Sequence, residues 1–304
     1  MKKHTMIWGF MLAVSLTGCH KEETLVASTD PEAVYHAGTL PQGNHDYDAD
    51  ILQKYRDYTT FFLYKFDLKD YSWGVSADVS YRWTPGQEAK PGYEIIPAAE
   101  NYVGEQLALL NDLWLQYFPD TLLRRALPHK ILLASALDSV VPKITDTEAS
   151  QVFRASIPAY SGYDYIAVNG GNGTILTLTA AEKNRLKAKW CNLFLARIVK
   201  QGLVTRSTDF LAVSNYANAS SIPWGQHFQY GFLDWNARGM DTDWDFYVFK
   251  ITSMPYTELT ATGEILDPAV DSRGLIRRKY DIITAYFKEK YNVDLQQIGN
   301  DQRQ

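Results

Sequence analysis

Residues 179–202, TAAEKNRLKAKWCNLFLARIVKQG, decide how the rest of the chain is interpreted. Thr179 and Glu182 have the T-x-x-E spacing of a capping box, and Gly202 stands where a C-terminal glycine cap belongs. The segment therefore predicts one long helix. Its first half is charged and its second half is apolar on nearly every side, which is typical of a buried helix. Arg197 is the exception, because a buried guanidinium needs a partner.

The remaining pattern mixes helices and strands, so we expect an α+β fold. Apolar spacing predicts a helix in residues 98–118 and another in 274–292. Residues 50–66 begin with helical spacing and continue into an aromatic, strand-like stretch. Four further stretches are typical of strands: KILLASA, QVFRASI, YDYIAVN and ILTLT. The sequence NGGNG at residues 169–173 predicts a turn between the last two strands.

The N-terminus has the pattern of an exported lipoprotein. Lys2 and Lys3 precede an apolar run that is too short to span a bilayer and is typical of a signal peptide. The run ends in LTGC, which resembles the lipobox of bacterial lipoproteins. We therefore expect removal of residues 1–18 and attachment of lipid to Cys19. An ordinary signal peptide with a chance cysteine is the alternative.

The residues after the lipobox predict a tether between the lipid and the fold. Residues 19–47 are polar, punctuated by proline and glycine, and without periodicity. The folded domain is thus expected to span residues 48–304. Lys21, Glu22 and Glu23 resemble the surface-export signal of some Gram-negative lipoproteins, although they could equally begin a solvated tether. The expected location is the outer membrane, and the cell surface if the export signal holds.

Composition argues against several partners. The chain carries 30 Lys+Arg and 35 Asp+Glu, a net charge of −5. An acidic chain without a basic run is a poor candidate for binding nucleic acid. Apart from the signal peptide no segment is apolar enough to cross a membrane, so the lipid is the expected anchor. Lipidation of Cys19 leaves Cys191 as the only free thiol, which excludes an internal disulfide.

Few residues suit metal-dependent or nucleophilic catalysis. His129 and His227 are the only histidines in the expected domain, and neither is followed by glutamate, so the HExxH zinc motif is absent. No G-x-S-x-G occurs, and Cys191 lies on a helix expected to be buried, where a thiol is inert. We therefore assign no catalytic residue, metal or cofactor. Paired carboxylates distant in sequence remain open.

An acidic cluster admits two interpretations. Asp241, Asp243 and Asp245 have the D-x-D-x-D opening of a calcium loop. However, Phe246 and Thr252 stand where such a loop requires glycine and glutamate. We interpret the cluster as acids at a helix N-terminus, where they complement the helix dipole.

Aromatic residues are concentrated in residues 222–249. Exposed rings can stack on sugars or grip peptides, and this region is expected to contain loops. Our candidate ligand-binding aromatics are Trp224, Tyr230, Trp235 and Trp244. For each of them, packing in the core is the alternative.

The order of these parts resembles the zinc-binding metallopeptidase lipoproteins associated with outer-membrane nutrient-uptake systems of the starch-utilisation type. TTFFLYKF, ALPHKILLAS and YDYIAVN resemble the earlier strands of that family. YGFLDWNAR at 230–238 resembles its Gly-Phe segment, and DWDFYVF at 243–249 resembles its glutamate helix. The resemblance implies a zincin-like single domain with a mixed sheet, a long central helix and a C-terminal helix.

The zinc signature of that family is absent here. The alignment places Leu193, Phe194 and Arg197 at the positions of histidine, glutamate and histidine, and Val248 at the later glutamate. None of these side chains can ligate a cation or activate water. The resemblance therefore implies a pseudoenzyme, a non-catalytic binding or accessory component of nutrient uptake with a peptide, glycoprotein or glycan ligand. The alternatives are an active hydrolase using unidentified carboxylates and a structural subunit of an outer-membrane uptake complex.

Arg197 follows Leu193 by four residues, which places both on one helix face. We predict that its guanidinium pairs with Asp243 or Asp245, the acids nearest to the lost third-ligand position. Such a pair would join two segments that a metal bridges in the family. The alternative is that Arg197 reaches water at the helix edge.

Overall fold

The computed structural model describes residues 40–72, 91–142 and 152–303. The expected signal peptide, Cys19 and the tether up to residue 39 lie outside these residues. None of the helices in the described ranges is both long and apolar enough to cross a membrane. The side chain of Gln42 accepts hydrogen bonds from the backbone N–H groups of Tyr64 and Lys65, at 2.8 and 3.1 Å. Residues ahead of position 48 therefore already contribute to the fold.

Helices and strands are mixed along the described chain. Their order is α1 (Asp46–Tyr58), β1 (Phe61–Leu63), β2 (Gly92–Pro97), α2 (Val103–Leu113), α3 (Asp120–Ala126), β3 (Lys130–Pro142), β4 (Val152–Ser156), β5 (Ala159–Ser161), β6 (Tyr165–Val168), α4 (Ala180–Lys200), α5 (Thr208–Leu211), α6 (Met240–Ser253), α7 (Tyr256–Leu259), α8 (Leu275–Tyr291) and α9 (Leu295–Asn300). The chain thus has the predicted mixture of helices and strands, including the long helix α4 and the late helix α8.

A mixed, open sheet is organised around β3. The first residues of β3 pair in parallel with β1 on one side and with β6 on the other. Its later residues pair antiparallel with β2 and with β4. Because β5 pairs antiparallel with β6, the order across the first part of the sheet is β1-β3-β6-β5. Among the described strands β5 therefore lies at the edge.

Helix α4 forms where the capping signals predict it. The hydroxyl of Thr179 accepts a hydrogen bond from the Glu182 N–H, and the Glu182 carboxylate accepts one from the Thr179 N–H. Gly202 has a φ of 71°, the left-handed conformation that favours glycine. In the second half of α4, Phe194 is fully buried against the edge of the Trp114 ring. This half thus belongs to the core, as its apolar composition predicts.

The hairpin expected at residues 169–173 does not form. After β6 the chain enters a short 3₁₀ helix, Gly173–Thr177, instead of another strand. The side chain of Asn172 caps this helix by accepting a hydrogen bond from the Thr174 N–H at 2.9 Å. The side chain of Asn169 donates to the carbonyl of Ile157 at 3.0 Å. These asparagine amides satisfy backbone groups locally, so the turn residues lead into a helical connection.

Candidate functional site

A groove of about 590 Å³ runs beside α4. One wall is the edge strand β5 with the two residues that precede it. The facing wall is the exposed side of α4, and Phe249 of α6 closes one flank. The lining residues are Tyr93, Ile157, Pro158, Ala159, Tyr160, Ser161, Lys189, Asn192, Leu193, Ala196, Arg197, Lys200 and Phe249. The walls are mostly apolar, whereas the charges come from α4.

The structure separates the four positions aligned with zinc-binding residues. Leu193 and Arg197 both line the groove, one helical turn apart. Phe194 is fully buried in the core, and Val248 is 5% exposed in the same core. Phe249, the residue after Val248, is the one that reaches the groove. Two of the four aligned positions therefore face the groove, and the other two pack in the hydrophobic core.

These residues do not fit a zinc ion. Leu193, Phe194 and Val248 have no ligating atom, and Arg197 remains a cation. Within the described part of the chain, no group of three or more histidine, cysteine, aspartate or glutamate side chains is placed to hold a metal. No reaction step through a metal can therefore be derived for this groove.

Arg197 links α4 to the edge of the sheet. It is 8% exposed, and its guanidinium donates to the Ser161 hydroxyl at 2.7 Å. It also donates to the carbonyls of Gly162 at 2.6 Å and Tyr163 at 2.7 Å, in the turn between β5 and β6. Burial lowers the pKa of the guanidinium, and the attraction of Asp164 opposes this shift. Arg197 therefore holds the turn in place and does not extend into water.

The predicted ion pair between Arg197 and an aspartate of α6 is corrected by this geometry. Asp243 is fully buried and pairs with Lys279 of α8, whose Nζ lies 2.5 Å from the carboxylate. Tyr216 donates a second hydrogen bond to Asp243 at 2.7 Å. Among the described residues, Asp245 forms no ion pair with Arg197. Burial raises the pKa of the Asp245 carboxyl. Arg197 therefore bonds to the carbonyls of the β5–β6 turn, and Asp243 pairs with Lys279 of α8, so the two predicted partners do not pair with each other.

The acidic cluster lies at the start of α6, as predicted. Asp241 pairs with Arg206 at 3.1 Å on the surface, whereas Asp243 points into the core toward Lys279. Asp241 and Asp243 thus have different partners, which favours the helix N-terminus interpretation over a calcium loop.

Lys279 is a buried cation that sequence analysis missed. Its side chain is fully buried, and its Nζ donates to the Gly231 carbonyl at 2.9 Å in addition to Asp243. Four aromatic rings surround the ammonium with centroids within 4.7–5.5 Å: Phe210, Tyr216, Phe232 and Tyr247. Burial lowers the pKa of Lys279, and the attraction of Asp243 opposes this. The signal in the sequence was a lysine at helical spacing between Ile276 and Ile283.

The four candidate aromatics lie in different environments, and none lines the groove beside α4. Trp224 is 80% exposed and stands edge-on to Trp235, with ring centroids 4.9 Å apart. The guanidinium of Arg238 covers the Trp235 ring at 3.8 Å. Tyr230 is 37% exposed. Trp244 is fully buried, so the core-packing alternative applies to it because its ring has no surface to offer a ligand.

Comparisons with known proteins find little similarity. No protein-family profile matches the chain, and no curated protein does either. A solved structure described as "a putative zinc-binding metallo-peptidase from Bacteroides caccae" is 13% identical in sequence. The match covers 83% of this chain and 88% of that chain, with a TM-score of 0.43. It is a distant resemblance of fold.

Proposed function

We propose that this protein is a cell-envelope lipoprotein that binds an extended peptide along the free edge of β5 without cleaving it. The observation that carries the proposal is the edge strand itself, which forms one wall of the groove beside α4. A strand at a sheet edge presents unpaired backbone N–H and C=O groups, to which an extended peptide can add as a further strand.

The hydrogen bonds at the ends of β5 identify which backbone groups are free. The N–H of Gly162 donates to the Tyr165 carbonyl, and the N–H of Asn169 donates to the Pro158 carbonyl, each at 3.0 Å. Bonded and non-bonded pairs alternate along an antiparallel ladder. Tyr160, midway between these two pairs, is therefore the residue of β5 that bonds to β6.

The residues before and after Tyr160 have backbone groups that face outward. By the same alternation, the N–H and C=O groups of Ala159 and Ser161 point away from β6. No described strand pairs with that side of β5. Two residues of the edge thus offer up to four backbone hydrogen bonds to a ligand strand, and the groove gives its side chains room.

The groove residues favour binding over hydrolysis. Its described lining contains no carboxylate, imidazole or thiol. The hydroxyl of Ser161 accepts a hydrogen bond from Arg197, a cation that cannot act as a general base. A general base or an activated nucleophile is thus missing from the wall that would hold the peptide.

Replacing Ala159 by proline is expected to weaken peptide binding at least about tenfold, because it removes one outward N–H and crowds the incoming strand. Proline is tolerated at a sheet edge when its nitrogen faces away from the ladder, so the free energy of unfolding should change by no more than about 1 kcal/mol. Binding of a random library of blocked octapeptides to the full chain in detergent measures the effect.

The replacement Ala159→Ser keeps the N–H and is the matched control, with unchanged binding expected. A second measurement uses peptides methylated at alternate backbone nitrogens, of which one set should lose binding to the unmodified protein. Equal binding by Ala159→Pro and the wild-type protein, or by both methylated sets, would contradict the edge-strand mode. Cleavage of the library, detected by mass spectrometry, would favour the hydrolase alternative.

The cellular part of the proposal rests on the N-terminal sequence. The LTGC pattern supports attachment to a membrane through Cys19, and the order of parts described above supports a role beside an outer-membrane nutrient-uptake complex. A transporter or uptake protein recovered with the lipidated chain from solubilised membranes would support that role. Recovery that persists in Ala159→Pro would assign the contact to a surface other than the edge of β5.

Cys19→Ser is expected to abolish lipid attachment and to release the protein from the membrane fraction, because serine has no thiol to carry diacylglycerol. Metabolic labelling with an alkyne fatty acid and fractionation of cells measure the two effects. The control is Cys191→Ser, whose thiol is buried in α4 and should leave labelling unchanged. Labelling that survives in Cys19→Ser would refute the lipobox assignment.

A further inference from the structure

We propose that the groove beside α4 selects an acidic peptide, whose carboxylates pair with Lys189 and Lys200. This inference rests on the proposed peptide binding along β5 and adds the chemistry of the ligand. It follows from the signs of the charges that line the groove, from their lack of partners and from their spacing along α4.

The groove has a charge opposite to that of the whole chain. The protein has a net charge of −5, yet the charged residues lining the groove are Lys189, Arg197 and Lys200, with no acid among the described lining residues. Charges of one sign beside low-dielectric walls focus the electrostatic potential in a cleft. An anionic ligand is therefore attracted to this groove in spite of the acidic surface elsewhere.

The two lysines are available to a ligand. Both are exposed, and within the described ranges neither forms an ion pair or a hydrogen bond with the protein. The nearest interaction of Lys189 is with the ring of Phe249, 5.9 Å from its Nζ. By contrast, Lys65 and Lys288 on other surfaces pair with carboxylates at 3.1 and 3.4 Å. The groove thus retains ammonium groups without intramolecular counter-ions.

Arg197 lies between the two lysines along α4, but its guanidinium is already bonded to the β5–β6 turn. It is more than nine-tenths buried, and its Nε has no hydrogen-bond partner in the described structure. Nearby Asp164 attracts the guanidinium, although one oxygen of that carboxylate already pairs with Lys130 at 3.0 Å. The net positive charge felt by a ligand comes mainly from Lys189 and Lys200.

The spacing of the lysines sets the length of the ligand. Lys189 and Lys200 are separated by about 16 Å along the axis of α4. Alternate side chains of an extended peptide point to the same side, and residues four positions apart, about 13 Å, come closest to this length among such pairs. Leu193 and Phe249 lie between or beside the lysines as apolar wall. We therefore expect two acidic residues four positions apart, with an apolar residue midway.

The test uses three blocked peptides and the full chain in detergent. One peptide carries two glutamates four positions apart around a central valine, and its counterparts carry glutamine or lysine in place of glutamate. The wild-type protein should bind the glutamate peptide about tenfold more tightly than the glutamine peptide. Raising the salt concentration should reduce this preference, since exposed charges are screened.

The variant Lys189→Gln with Lys200→Gln should lose the preference, while its affinity for the glutamine peptide stays within about twofold of wild type. The matched control is Lys183→Gln with Arg185→Gln, which removes the same charge from the same helix outside the groove. This control should retain the preference. Loss of preference in the control to the same extent would overturn the assignment to Lys189 and Lys200.

The remaining outcomes separate the two proposals. Equal binding of glutamate and glutamine peptides by the wild-type protein would overturn charge selection and leave peptide binding intact. Absence of binding by every peptide would refute both proposals. Lysine-dependent binding of an oligogalacturonate, tighter than that of the glutamate peptide, would assign the groove to an acidic glycan and overturn the peptide assignment.

Discussion

Lys279→Met is expected to lower the free energy of unfolding by about 3–5 kcal/mol, because it leaves a buried carboxylate without its counter-ion. Lys279 and Asp243 are both fully buried. After the replacement, Tyr216 remains the only described donor to Asp243, whose second oxygen already lacks a partner. Methionine keeps the length and the apolar stem of lysine, so the change tests the charge. Urea unfolding followed by tryptophan fluorescence measures it.

Two further variants show whether the loss comes from the uncompensated charge. Lys288→Met, on the same helix, breaks an exposed pair with Asp294 and should cost no more than about 1 kcal/mol. Adding Asp243→Leu to Lys279→Met removes the orphaned carboxylate and should recover most of the lost stability. A loss below about 1 kcal/mol in Lys279→Met alone would contradict the buried pair.

Arg197→Met is expected to cost about 2–4 kcal/mol of unfolding free energy, since three hydrogen bonds from a charged guanidinium to the partly buried turn after β5 are lost. The affected partners are Ser161, Gly162 and Tyr163. Hydrogen exchange provides a local readout. In Arg197→Met, exchange of the backbone amides of this turn should accelerate relative to wild type by more than exchange of the β3 amides. Urea unfolding gives the global value.

The controls for Arg197 use the same helix. Arg185→Met changes an exposed arginine and should stay within about 0.5 kcal/mol of wild type. Arg197→Lys keeps the charge but not the planar fork, so an intermediate loss is expected. If Arg197→Met and Arg185→Met had equal effects, the guanidinium would be reaching water in solution, the alternative that its sequence context left open.

Much of the candidate site follows from sequence spacing. Leu193 and Arg197 are four residues apart, and both line the groove because residues at this spacing share a helix face. The identity of the charge partner could not be obtained in this way. Asp243 matched Arg197 in sign, but Lys279 meets it across the interface of α6 and α8. A pattern of charges shows which residues need partners, whereas packing decides which partner comes within reach.

The aromatic residues likewise show what the sequence predicts and what only packing decides. Composition placed Trp224, Trp235 and Trp244 in one segment, yet one is exposed, one is half-buried and one is fully buried. Trp244 lies inside a regular helix and turns its ring to the core, while Trp224 lies between α5 and α6 outside any helix. Side-chain burial depends on the helix face and on neighbouring elements, which residue type alone does not specify.

The sequence by itself determined the local features: the capping box of α4, its buried second half, the lipobox pattern and the absence of an HExxH motif. These depend on residue identity or on contacts between residues three or four positions apart, so short stretches suffice. Tertiary structure alone decided the binding of Arg197 to the β5–β6 turn, the pairing of Asp243 with Lys279 and the free edge of β5. The two contacts join residues at least 34 positions apart in the chain, and the free edge depends on which strands assemble beside β5. None of the three exists before the helices have packed against the sheet.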